Sequence, residues 1–274
     1  MTDISIATAR GITLAATLCV ADTADPLDVP ALDAALEADR DVPARSEGVV
    51  VLAHDFLTDR HGLAHRLDDL AASYRRAGLT TLQFDFSGLG ESDDDVITLA
   101  GEVEDIQAVC GWLADRGFVR QAIHANGLGA TAALLARPEQ VRAVVVVGAV
   151  VGPHSILWEN VFSPAQLDEL DRHGLTRLPD DNPNSRSWDV VSKETLADVS
   201  LQSPDKTMSG LPWPILMLHG ALTDEFPGTA EAATEGFPLL REGSRLQQVR
   251  CDSAEVAHDE VAQLAISWVT HRLT

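Results

Sequence analysis

Three polar positions fall where apolar runs end, and together they could do chemistry. The stretch Ile123–Ala133, IHANGLGATAA, makes a tight Asn126-Gly127-Leu128-Gly129 turn between an apolar strand and a helix. Asp224 follows the run ILMLHG, and His258 follows the next strand, in AEVAHDEVA. A turn that opens a helix presents backbone N–H groups to an anion or a developing oxyanion. A histidine moves protons near neutrality, and an acid beside it fixes its tautomer. What this arrangement lacks is a nucleophile, because Gly127 has no side chain where acyl transfer needs a hydroxyl or thiol.

Such groups work only if rigid elements hold them. Strand-like runs occur at Gly48–His54, Leu79–Phe86, Val119–Ala125, Val141–Ala149, Pro214–Gly220 and Ser244–Arg250. Helix-period segments lie between them at about His61–Ala77, Leu99–Arg116, Leu128–Ala136, Thr229–Glu235 and Ala257–Arg272. Near-continuous apolar strands alternating with helices imply an α/β fold with a mostly parallel sheet covered on both faces. The N-terminal ISIATARGITLAATLCV reads as an antiparallel hairpin on one edge, and PALDAALEAD as a short helix in an inserted connection. The interruption Gly152–Leu211 is too long to be structureless, and reads as a mostly helical cap carrying Trp158, Phe162 and Trp188. It is expected over the C-terminal edge of the sheet, where open α/β folds bind ligands. No composition break divides the chain, so residues 1–274 are expected to form one domain with the cap inside it.

Composition narrows the partners. A net charge of −22 with no basic stripe disfavours nucleic acid and anionic membranes, which would be repelled. No run reaches the ~18 apolar residues of a membrane span, and the N-terminus has no basic segment leading into an apolar one, so a cytoplasmic setting is expected. Cys19, Cys110 and Cys251 offer neither a disulfide framework nor metal spacing. No histidine–carboxylate pair shows metal-ligand spacing either, and SGLGES lacks the lysine of a phosphate-binding loop. The expectation is therefore a small-molecule ligand with no metal and no organic cofactor; the oligomeric state is not legible.

Several blocks, in order, resemble the α/β-hydrolase superfamily over most of the chain. VVVLAHDF is similar to its strand and oxyanion loop, usually written His-Gly-Phe, with Asp55 in place of the glycine. LQFDFSGLGESD resembles the Phe-Asp-Phe-x-Gly-x-Gly-x-Ser block of serine aminopeptidase-like and feruloyl-esterase-like members, and of the hydrolase halves of OsmC-fusion proteins. The order elbow, acid, histidine matches that fold's chain order. On the Gly-x-Ser-x-Gly elbow the chain reads Ala125-Asn126-Gly127-Leu128-Gly129, so the serine position holds glycine and the first glycine is alanine. The resemblance implies His258 as the catalytic base and Asp224 as its orienting acid, with Thr223 or Glu225 able to shift into that role because the spacing is one residue long. The amides of Phe56 and Leu128 are the candidate oxyanion hole, which needs no side chain. Asp55 and Asn126, which flank it, are candidate substrate contacts, as are Trp158, Phe162 and Trp188 of the cap, and Asp85 and Ser87 are expected to be structural.

Three functions stay open on this reading. One is an enzyme acting on an ester, thioester, amide or lactone without a covalent intermediate, through a water or substrate proton handled by His258. Another is a non-catalytic binding protein that keeps the pocket. The third is a serine esterase inactivated by Ser→Gly at position 127.

Overall fold

The structure, a computed structural model, describes residues 1–38, 40–154, 158–222, 225–250 and 253–273. Its strands and helices follow in chain order as β1 (Thr2–Ala7), β2 (Thr13–Cys19), α1 (Val29–Glu37), β3 (Val49–Ala53), α2 (Arg66–Arg76), β4 (Thr80–Phe84), β5 (Val96–Ile97), α3 (Leu99–Asp115), β6 (Gln121–Asn126), α4 (Gly127–Ala136) and β7 (Val141–Val147). They continue with α5 (Pro164–His173), β8 (Leu175–Pro179), β9 (Trp188–Ser192), α6 (Lys193–Ser200), α7 (Pro204–Met208), β10 (Ile215–His219), α8 (Thr229–Gly236), β11 (Arg245–Gln248) and α9 (Ala254–Leu273). The main sheet has the order β1-β2-β4-β3-β6-β7-β10-β11. The hairpin β1–β2 is antiparallel and joins β4 antiparallel, while the strands from β4 to β11 run parallel to one another.

The sequence of β3 explains why the sheet is covered twice. All five residues of VVVLA are buried, and successive side chains must point to opposite faces. Val49, Val51 and Ala53 enter a core shared with Ile106, Val109 and Leu113 of α3 and with most of α4. Val50 and Leu52 enter the opposite core, with Leu67, Leu70 and Tyr74 of α2 and Ala265, Trp268 and Val269 of α9.

The helix expected from His61 begins only at Arg66, because Gly62, Ala64 and His65 have φ of +70°, +54° and +60° and so cannot continue a right-handed helix. The insertion, expected to be mostly helical, holds α5, α6 and α7 and also the hairpin β8–β9, which β5 extends into a three-stranded sheet. Asn182 Nδ2 donates to Leu57 O at 3.0 Å and Arg186 Nε to Gly90 O at 3.1 Å, tying the insertion to the loops after β3 and β4 at the C-terminal edge.

Candidate active site

The elbow is built by β6 running directly into α4. Gly127 opens that helix at φ +51°, a left-handed value that costs a residue with a side chain but not glycine. A Cβ on Gly129 would stand 2.2 Å from His54 O, so α4 can approach β3 this closely only with glycine there.

Asp55 fills the centre of this site. Its Oδ1 accepts from Phe56 N at 2.7 Å and Leu128 N at 3.0 Å, the two amides expected to form the oxyanion hole. A Cβ built on Gly127 would lie 1.6 Å from Asp55 Oδ1 and 2.0 Å from its Cγ. The carboxylate therefore stands in the volume a serine side chain would take, at the N-terminus of α4, where backbone amides favour negative charge. His54 fixes the loop that delivers it. The His54 Nε2 accepts from Phe86 N at 3.1 Å, so Nδ1 carries the proton and donates to Asp55 O at 2.8 Å. Burial of this imidazole lowers its pKa and keeps it neutral, as that bonding requires.

A cavity of about 190 Å³ opens beside the carboxylate, lined by Asp55, Phe56, Thr58, Leu63, Arg66 and Leu222 among others. It shares Arg66, Leu67, Asn126 and Leu222 with a recess of about 40 Å³ that contains His124 and His258. His258, half-buried near the start of α9, is held below its usual pKa by burial and then by the charge of Arg66, against the opposing pull of Asp69 and Asp259. His124 is pushed down to about 3, by burial and then by His258, and shares a 2.9 Å hydrogen bond with the Tyr74 hydroxyl. The Arg66 guanidinium makes no hydrogen bond or ion pair with a described residue, and the buried Oδ1 of Asn126 has no described partner.

The structure thus brings Gly127, Leu128, Phe56, Asp55, Asn126 and His258 to one corner. Asp224, Thr223 and Cys251 lie outside the described residues. Glu225, the alternative acid, accepts from Gly220 N at 2.8 Å and faces the buried His219 across 3.4 Å. The three cap aromatics do not line the cavity. Phe162 is buried with Trp158 beside it, ring centroids 5.8 Å apart, and Trp188 lines a separate open groove of about 820 Å³ with Arg186 and residues 90–96. That groove is larger, but it contains neither the elbow nor His258. Asp85 has a structural part, accepting from Arg60 N at 2.6 Å and Glu91 N at 2.9 Å, and Ser87 donates to Asp105.

Leu63, Arg66 and Leu67 are absent from the sequence reading because a helix drawn from His61 points them along one face rather than around a pocket; the loop residue Thr58 is absent as well. The expectation of no metal-ligand spacing also needs correction: His61, His65 and Asp68 converge, since the left-handed turn at Ala64–His65 folds the segment back on itself.

No protein-family model matches the chain, and no curated protein sequence does. Solved structures do match. The α/β-hydrolase GrgF from Penicillium sp. sh18 is 16% identical with a TM-score of 0.70, over 99% of this chain and 98% of that one. The chain has the α/β-hydrolase fold. Est1E from Butyrivibrio proteoclasticus, solved with ferulic acid bound, is 15% identical with a TM-score of 0.67, covering 97% of this chain and 99% of its own. The esterase EaEST from Exiguobacterium antarcticum is 14% identical, also at 0.67, covering 98% and 100%. No described helix is long and apolar enough to cross a membrane.

Proposed function

We propose that this hydrolase-fold protein forms no acyl-serine and binds a small organic acid in the cavity beside Asp55. One observation carries the reading: the Asp55 carboxylate is bonded to both oxyanion-hole amides. A substrate carbonyl would compete for the same two donors, so hydrolysis assisted by His258 without a serine loses its main source of transition-state stabilisation. An esterase inactivated only at position 127 is disfavoured for a related reason, since a serine there would overlap Asp55.

What remains is a pocket with features of a ligand site. Phe56, Leu63, Leu67 and Leu222 give it apolar walls, Arg66 brings a cation without a described partner, and Asn126 adds an unpaired amide oxygen. Its ~190 Å³ is below the range of drug-sized sites, which fits a small molecule with a short apolar body and a carboxylate directed to Arg66. We place the protein in the cytoplasm, because its three cysteines show no disulfide spacing in the sequence and, among the described residues, Cys19 and Cys110 are free and buried.

Ligand-observed NMR with hexanoate and hexylamine tests the reading. Hexanoate is expected to bind the chain and to weaken at least tenfold in Arg66→Gln, while hexylamine does not bind. Equal binding of the two, or hexanoate binding indifferent to Arg66→Gln, rejects it.

A second reading has its own support in the neutral imidazole of His258 at the recess. Such a group is a competent base for an elimination or isomerisation that needs no oxyanion hole. Exchange of a bound acid's α-proton with deuterated water, abolished by His258→Gln, would favour it; no exchange above the protein-free rate would remove it.

A further inference from the structure

We propose that His61, His65 and Asp68 form a binding site for one divalent transition-metal ion of the zinc class. The three side chains come from one short segment, yet their ligand atoms all lie within 4.8 Å of one another. His61 Nδ1 and His65 Nδ1 lie 3.1 Å and 2.9 Å from the same atom, Asp68 Oδ2. A tetrahedral ion with bonds of about 2.0–2.1 Å sets neighbouring ligand atoms about 3.3 Å apart, so each imidazole would separate from the carboxylate by only a few tenths of an ångström, and the two imidazole ligand atoms, within 4.8 Å of one another, would settle at the same spacing. Two imidazole nitrogens and a carboxylate suit zinc and its neighbours better than magnesium or calcium, and three protein ligands leave one position for water or a fourth donor.

The surroundings are those of a built site. Gln83 Nε2, on the buried strand β4, donates to Asp68 Oδ1 at 2.9 Å and also to Arg60 O at 3.0 Å, so the carboxylate is oriented from behind. Bringing His65 over Asp68 requires two successive non-glycine residues in the left-handed region, Ala64 at φ +54° and His65 at φ +60°. That conformation is unfavourable for both. Hydrogen bonds between half-exposed histidines and one carboxylate return little, because water competes for each partner. A metal bond made by all three returns more. The nearby charges are mixed: Asp59 accepts from His61 N at 2.9 Å, Asp69 lies in the first turn of α2, and Arg66 sits between two of the ligands. Since Gly62, Leu63, Arg66 and Leu67 line the cavity, an ion here would fix one of its walls.

Isothermal titration of the chelator-treated full chain with ZnCl₂, and the visible spectrum with CoCl₂, test the site. One equivalent of zinc is expected, with affinity at least tenfold lower in His61→Ala, His65→Ala and Asp68→Asn, and unchanged in His271→Ala, an exposed histidine elsewhere. Cobalt should give the intense band of a four-coordinate nitrogen–oxygen site. Stoichiometry and affinity unaltered in the His61→Ala/His65→Ala double variant overturn the proposal, as does an unaltered chain that leaves cobalt with its aquo spectrum. The cobalt spectrum of the unaltered chain decides the matter even should Asp68→Asn fail to fold.

Discussion

Restoring the serine alone should fail, and a double-mutant cycle between positions 55 and 127 measures why. In Gly127→Ser the new Cβ falls 1.6 Å from Asp55 Oδ1, so the carboxylate must leave. Leaving breaks two hydrogen bonds to a charged acceptor, worth about 1.5–3 kcal/mol each. Asp55 is only half-buried and rehydrates, so the lower end applies, about 3 kcal/mol. Side-chain strain at φ +51° adds about 1–2 kcal/mol. Asp55→Gly loses the same two bonds but frees the amides. The double variant therefore pays the hydrogen-bond cost once, and the two single changes should exceed it by about 3 kcal/mol in urea unfolding. The activity arm has its own magnitude. In Gly127→Ser the displaced Asp55 carboxylate remains on the loop beside the amides and its charge opposes a developing oxyanion, whereas the double variant carries no such charge; p-nitrophenyl acetate hydrolysis should therefore be at least ~100-fold faster in the double variant than in Gly127→Ser, the order of losing one oxyanion-hole donor. A fluorophosphonate should label only the double variant. Stabilities additive within ~0.5 kcal/mol, or a Gly127→Ser single variant as active as the double, would refute the claim that Asp55 occupies the hole.

Acid should destabilise the fold through its buried histidines. His124, with its pKa at about 3, stays neutral in the folded state while the unfolded chain protonates at about 6.5, and His54 and His258 are lowered in the same direction. Stability is thus complete above pH 6.5 and falls below it, by about 1.4 kcal/mol per pH unit for His124 until pH 3. His124→Gln, which can still bond Tyr74, should flatten urea-unfolding stability between pH 7.5 and 5; an unchanged slope counts against the assignment. Arg60→Met should cost about 3 kcal/mol in the same assay, because it strands the carboxylate of Asp85, 1% exposed, with only backbone donors. A loss under ~1 kcal/mol would show that those amides suffice. Gly129→Ala should cost about 1–3 kcal/mol, since its Cβ meets the His54 carbonyl at 2.2 Å, and a neutral result would mean α4 can slide along β3.

Much of this was legible in the sequence for a reason that can be named. The apolar runs of the sheet and the glycine-bearing turn at 126–129 are local signals, and local signals place elements. The amides of Phe56 and Leu128 were named as a candidate oxyanion hole from the family resemblance, and the structure brings both to one acceptor, Asp55 Oδ1. Asp55 was readable as a residue flanking the hole but not as its occupant. Its direction depends on a rotamer set by Gly127, 72 positions away in the chain, and by the clamp of His54 on Phe86. The wall that carries Arg66 was missed because three left-handed residues, of which only Gly62 is a recognised helix breaker, delay the start of α2 to Arg66. The hairpin β8–β9 was hidden for another reason: its burial alternates, but the polar Thr176 and Asp189 point inward while Leu175 and Trp188 face outward, so hydrophobicity does not follow the alternation that marks a strand.

Asp55 and Gly127 are best understood as one feature rather than two departures from a family pattern. Glycine at 127 alone would leave two amides, Leu128 N at the start of α4 and Phe56 N in the loop after β3, pointing into space where a ligand or water must serve them. Aspartate at 55 alone would press a charge against the serine side chain, with no room for both. Together each removes the other's cost: the carboxylate satisfies the amides, and the missing Cβ makes room for the carboxylate. The consequence for function is specific. The amides already hold an anion of the protein's own, so the ligand proposed here would be recognised by other groups lining the cavity, Arg66 and the amide of Asn126.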